Sequence, residues 1–178
     1  MTAATRYLAL ACALAVAALL GGCAAPATSV GMTAVPTTPA HQIGGDVSVA
    51  VSGGSQTSST GGSQISDEAF AQALRDSIQQ SGLFAKVSPS GARYQLTAFI
   101  GKVDQPMVGF SMTVKMDVNY KLVDAQSGAT VWSKVIDSQY TARPGDAFAG
   151  VKRLRLANEG AARDNIQQAI GAMAALKL

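Results

Sequence analysis

From Phe110 to Leu122 every even position is apolar (Phe110, Met112, Val114, Met116, Val118, Tyr120, Leu122), and every odd position between them is polar (Ser111, Thr113, Lys115, Asp117, Asn119, Lys121). Successive side chains of a strand point to opposite faces, so this period of two fits a strand and no helix, whose apolar residues recur three and four apart. A strand wet on one face and covered on the other belongs in an antiparallel sheet with one packed side. Its neighbours carry compatible signals. Arg93–Val103 sets Tyr94, Leu96, Ala98 and Ile100 on one face, the turn "VDAQSGAT" follows Leu122, and Val131–Thr141 supplies a further strand. The faces of that last strand are mixed, Trp132, Ile136 and Tyr140 against Val131 and Val135, so its register stays open.

A covered face needs a cover. Ser66 is placed as an N-cap, with Asp67 and Glu68 in the first turn where the helix dipole favours negative charge. Ile65 and Phe70 occupy hydrophobic-staple positions. Phe70, Leu74 and Ile78 form the stripe, with Ala71 and Ala73 beside it. Gly82 is expected to end the helix in the left-handed conformation, with Leu83 folding back on Ile78. A second, longer helix starts between Ala147 and Arg153 and ends near Leu176. Val151, Leu154, Ala161, Ile166, Ala169, Ile170, Met173 and Leu176 mark its apolar side, and Glu159, Arg163, Gln167 and Lys177 its polar side. Gly160 interrupts it, weakening it by about 1 kcal/mol relative to Ala.

Upstream, Asp46–Ser52 alternates Val47, Val49 and Val51 with Ser48, Ala50 and Ser52 and is a first strand; Phe84–Val87 is a short extended piece. Gly53–Gln64 is low-complexity and is expected to be a disordered loop. The expected fold class is α+β: two helices packed on one face of a mainly antiparallel four-stranded sheet, in the order β-α-β-β-β-β-α with one strand short. One domain covers residues 46–178.

The amino terminus is of another kind. Arg6 is its only charge before the apolar run Tyr7–Leu20, which falls short of the roughly 20 residues that span a bilayer. A charged start, a short apolar centre and a small-residue end make a secretory signal peptide over residues 1–22. Its ending, Leu20-Gly21-Gly22-Cys23, resembles the bacterial lipobox, with Leu20, Gly21 and Gly22 as the peptidase-recognition residues. The resemblance implies cleavage before Cys23 and acylation of that residue on its sulfur and its new amino group. Fatty chains add about 0.8 kcal/mol per buried CH₂, so two or three hold where one would not. Ala24, and no Asp, follows the cysteine, which by analogy with enterobacterial sorting implies the outer membrane, with the domain facing the periplasm. Cys12 would leave with the leader, so no disulfide is expected. Residues 23–45, rich in Ala, Pro, Thr and Gly, are expected to form a flexible tether spanning about 25 Å on average.

Chemistry is scarce. The chain carries 14 basic against 11 acidic residues, and no basic stripe interleaved with aromatics points to nucleic acid. His41, the only histidine, lies in the tether segment, where nothing orients it as a base. No nucleophile elbow, Walker loop or dinucleotide fingerprint is present. Asp104, Asp117, Asp124 and Asp137 are scattered over strands and turns, Asp124 being placed to accept bonds from its own turn. No enzyme, metal or cofactor is therefore expected. Two features suit binding: the apolar pair Met107 and Val108 at a hairpin tip, and the basic cluster Lys152, Arg153 and Arg155 at a helix start.

Three stretches carry a resemblance to Gram-negative envelope lipoprotein domains. They are Phe70, Leu74 and "SGLF" at Ser81–Phe84, "ARYQLTAFI" at Ala92–Ile100, and "YKLVDAQSGATVW" at Tyr120–Trp132. The group comprises the lipopolysaccharide-assembly lipoprotein, YajG-like and transporter-auxiliary lipoproteins, and TolB amino-terminal-like domains. These motifs are structural, and they imply a fold and a compartment. The expected role is a non-enzymatic outer-membrane lipoprotein, tied to the membrane by acyl chains and binding a protein of an envelope assembly or transport system. The alternatives are a carrier or sensor of a small or lipidic ligand, and a self-assembling secretion-channel lipoprotein.

Overall fold

The computed structural model describes residues 24–35, 41–58 and 62–178. The expected signal peptide, Leu20, Gly21, Gly22 and Cys23 lie outside them. The elements are α1 (Ser29–Met32), β1 (Ile43–Ser52), α2 (Asp67–Ser81), β2 (Phe84–Val87), β3 (Tyr94–Asp104), β4 (Met112–Asp124), β5 (Thr130–Ala142) and α3 (Gly150–Ala174).

The sheet has five strands in the order β2-β1-β3-β4-β5. β3, β4 and β5 form the expected antiparallel meander. β1 departs from the expectation, since it lies between β2 and β3 and runs parallel to both, so the sheet is mixed. Helix α2 is the cause. A strand that leaves into a helix returns on the same side as a parallel neighbour, and the alternation within β1 carries no trace of its partners.

The period-two signal of β4 translates into burial: Met112, Val114, Met116, Val118, Tyr120 and Leu122 are all covered. Phe110 is not, because the chain turns through Gly109 and β4 starts only at Met112. The register of β5 pairs Leu122 with Trp132 and Val118 with Ile136, with an irregularity between Leu122 and Val123. Ile136, Ser138 and Ala142 therefore face the helices, and Val135 faces outward.

Helix α2 forms as its sequence dictates. Ser66 accepts from the Ala69 amide at 3.2 Å, and Gly82 takes φ 65° in the left-handed region that a side chain would disfavour. Ile65, Phe70, Leu74, Ile78 and Leu83 are all buried in one core with Tyr120, Leu96 and Ile166. The glycine in α3 has a packing reason: a Cβ on Gly160 would overlap the ring of Tyr140, so the helix lies closely against β5 at that point.

Two expectations about loops need correction. The stretch read as a tether is folded over residues 24–35, where Ala27, Met32 and Ala34 are buried against the helices. Met32, fully buried, and two alanines are enough because α2 and α3 present polar partners for the backbone between them. In the loop expected to be disordered, Gly54 donates to Asp67 Oδ1 at 2.6 Å, Ser55 donates to the Ile65 carbonyl at 2.8 Å and Ser63 is buried. Hydrogen bonds from the backbone hold its described residues 54 and 55 in place of apolar side chains.

Candidate functional site

The folded amino-terminal segment, here the strap, is fastened to the side of α3 that sequence reading assigns to solvent. Glu159 is buried, and its Oε1 accepts from the Thr28 amide at 2.9 Å and from the Thr28 hydroxyl at 2.8 Å. Arg163 donates to the Gly31 carbonyl at 2.8 Å, with its guanidinium 5.8 Å from the Tyr140 ring centre. The Ala34 amide donates to Ser77 Oγ on α2 at 2.9 Å. Gly31 leaves room for the Glu159 carboxyl group, which a Cβ at that position would displace. A buried carboxylate needs donors. Thr28 supplies two of them, and Arg155 adds an ion pair at 3.7 Å.

At its start the strap joins one end of the molecule. Ala27 donates to the Gln64 carbonyl at 3.1 Å. The Gln64 side chain meets Gln105 Nε2 at 3.4 Å, which also donates to Asn158 Oδ1 at 3.1 Å. Asn158 in turn donates to the Ser63 carbonyl at 2.9 Å. This polar chain ties the strap and the 53–64 loop to the β3–β4 hairpin. At the tip of that hairpin Met107 is 97% exposed, Val108 85% and Phe110 88%.

Arg153 locks the neighbouring loop to the same hairpin. Its Nη1 donates to the carbonyls of Ala147 at 2.8 Å and Phe148 at 2.6 Å, and its Nη2 reaches the Gly109 carbonyl at 3.5 Å. Phe148, 101% exposed, therefore stands beside the hairpin tip, with Val151 exposed just after it.

The structure thus brings Met107 and Val108 together with the start of α3, a juxtaposition the sequence does not reveal. Arg153 is buried and Arg155 half-buried, both engaged inside the molecule, while Lys152 is exposed. Phe110, Phe148 and Val151 are the members of this end that sequence reasoning missed. Phe110 hid in an apparently unbroken strand pattern, and Phe148 in the break after Arg143-Pro144-Gly145.

The outer face of the sheet is the second exposed feature. Register aligns Phe99, Asn119 and Val135 in one row and Thr97, Lys121 and Ser133 in the next. Phe99 and Val135 are each about half exposed on this face. The edge of β5 is partly closed by α3: Asn165 donates to the Ile136 carbonyl at 2.7 Å and Gln168 to the Asp137 carbonyl at 3.4 Å.

Among the described residues no group of three or more His, Cys, Asp or Glu could hold a metal ion, and no helix is long and apolar enough to cross a membrane. His41 is exposed beside the carboxyl-terminal residues Ala174–Leu178. A groove of about 440 Å³ near the β5 edge is lined by Lys102, Lys115, Asp117, Asp137 and Asp164. Fully buried Phe70, Leu74, Tyr120 and Ile166 fill the space between helices and sheet. Burial pushes the Tyr120 phenol well above its usual pKa, so it stays protonated and donates to Asn165 Oδ1 at 2.9 Å. The Asp124 carboxylate is held below its ordinary value by the Ser127 and Gln126 amides, and that of Asp46 by the Arg93 amide and the Ser88 hydroxyl. All three groups serve the fold.

No family model and no curated protein matches the chain. Solved structures do. A Xanthomonas campestris protein of family DUF330 is similar over 80% of this chain and 90% of its own, at 15% identity and a TM-score of 0.59. A hypothetical protein from Chlamydia trachomatis is similar over 75% and 95%, at 10% identity and a TM-score of 0.50. A minor lipoprotein from Acinetobacter baumannii reaches 10% identity over 76% and 94%, with a TM-score of 0.47. The likeness to the first two, at these identities, establishes the fold alone.

Proposed function

We propose that the protein is a non-enzymatic, acylated lipoprotein of a Gram-negative outer membrane, and that it serves as a protein-binding accessory of an envelope assembly or transport system. The Leu20–Cys23 motif supplies the anchor. The observation that carries the binding role is the outer sheet face, where the row Phe99, Asn119 and Val135 leaves two large apolar side chains half exposed. Isolated apolar residues are ordinary on surfaces, but a cross-strand row on an uncovered sheet face offers a rigid platform for another protein. A carrier role is less well supported, because close-packed side chains fill the space between helices and sheet.

The test is photocrosslinking in the intact envelope from positions 99 and 135, with position 126 in the distant β4–β5 turn as control. A discrete adduct from 99 and 135 that is absent at 126 supports the role. Identical adduct patterns at all three positions, or none at 99 and 135, reject this face as the platform.

A further inference from the structure

We infer that the end of the molecule formed by the β3–β4 hairpin tip and the loop before α3 inserts its apolar side chains into the same lipid leaflet that holds the acyl chains. The inference rests on the acylation of Cys23 proposed above, and it adds a membrane-contacting surface and a fixed orientation to that reading.

Two independent observations meet at this end. The first is exposure: Met107, Val108, Phe110 and Phe148 are each at least 85% exposed, and Val151 lies beside them. Side chains as open as these project from the surface and line no groove. Large apolar side chains on two adjacent loop tips mark a surface that meets something other than water.

The second is where the chain enters. Ala27 is bonded to Gln64, Gln64 to Gln105, and Gln105 stands two residues before Met107. Cys23 lies four residues before Ala27, which at full extension is roughly 13 Å. A free tether would let the domain turn any face toward the membrane. The strap removes that freedom from Ala27 onward, through Gln64, Glu159 and Arg163. The anchor thus leaves the molecule at the end that carries the apolar tips, and acyl chains buried in a leaflet bring that end to its surface.

The local chemistry suits a leaflet. Lys152, exposed next to Val151, can keep its ammonium among headgroup phosphates while its stem lies along the apolar surface. The two terminal nitrogens of Arg153 are already committed within the protein to the carbonyls of Ala147, Phe148 and Gly109, and only its buried Nε lacks a partner. Burying the tips in the acyl boundary therefore strands few hydrogen bonds, as in interfacial elements that lie in a membrane surface.

The test uses the mature acylated protein, processed in a bacterial envelope and reconstituted in vesicles of phosphatidylethanolamine and phosphatidylglycerol. Once Cys12 has left with the leader and Cys23 is acylated, an introduced cysteine is the only free thiol. Met107→Cys and Phe148→Cys each receive an environment-sensitive fluorophore, and Gln126→Cys, at the opposite end, is the control. All three positions are exposed, so the fold tolerates the change. The expected result is a blue shift and a several-fold rise in emission at 107 and 148, with collisional quenching by spin-labelled lipid, while 126 stays aqueous.

A protein that floats with the vesicles while labels at 107 and 148 remain aqueous overturns the inference and leaves the anchor standing. Blue-shifted labels that spin-labelled lipid does not quench also overturn it, because another protein or a second copy then covers this end. Failure to float removes both the anchor and the inference.

Discussion

Replacing Glu159 with Ala should release the strap without unfolding the domain. The carboxylate holds two bonds from Thr28, at 2.9 and 2.8 Å, and packs against Gly31. Hydrogen bonds to a charged acceptor are worth about 1.5–3 kcal/mol each. The pair therefore contributes on the order of 3 kcal/mol, discounted toward the lower bound because Thr28 is itself exposed to competing water. A loss of that size is roughly a hundredfold in the docking equilibrium. Helix α1 is a direct reporter. A four-residue helix has no stability alone, so protection of its amides exists only while it is docked.

Hydrogen exchange should show the Met32 and Thr33 amides, which donate to the carbonyls of Thr28 and Ser29, losing about a hundredfold in protection. The amides of β3 and β4 should keep theirs. Glu159→Gln retains an acceptor oxygen of the same reach and should lose about half of the effect, since charge-assisted bonds are about twice as strong as neutral ones. Unchanged protection of Met32 and Thr33 in Glu159→Ala would refute the assignment of Glu159 as the strap's fastening.

Gly160→Ala should destabilise the protein, because overlap with the Tyr140 ring costs about 1–3 kcal/mol against about 1 kcal/mol gained in helix propensity. In a Tyr140→Ala background the same change should become stabilising, which a double-mutant cycle by chemical denaturation reads directly. Tyr120→Phe leaves Asn165 Oδ1 without its buried donor and should cost about 1–3 kcal/mol. Because burial raises the Tyr120 pKa above its ordinary 10.0, the wild type should lose stability as pH rises past that value and the unfolded chain ionises. Asp46 is shifted the other way. Its folded pKa lies below the ordinary 3.8, so its contribution is whole above that value and disappears as pH falls through the lower folded value. Asp46→Asn should flatten the acid limb of a stability–pH profile measured by urea titration.

Elements whose signal is local were legible. The caps and stripe of α2, the alternation of β4 and the Asp124 turn are each written within a few residues. In that turn Asp124 Oδ1 accepts from the Gln126 amide at 2.8 Å and the Ser127 amide at 3.2 Å, and Gly128 adopts φ 71°. Short-range sterics and hydrogen bonds decide such features. Of the candidate site, Met107 and Val108 were legible as a tip, whereas their meeting with Phe148 was not. That meeting depends on Arg153, read from sequence as a free cation, spending its guanidinium on three carbonyls across two loops.

By itself the sequence determined the α+β class, the meander, the two long helices and the lipobox-like ending, because each follows from periodicity or from adjacent residues. Tertiary structure alone decided that β1 runs parallel between β2 and β3, and that Glu159 faces a strap and is shielded from water. It also decided that residues 24–35 are folded onto α2 and α3. Thr28 and Glu159 are 131 positions apart, and no pattern in either neighbourhood encodes the other. Their pairing arises because a carboxylate closed off from solvent gains most from whatever donors packing brings to it.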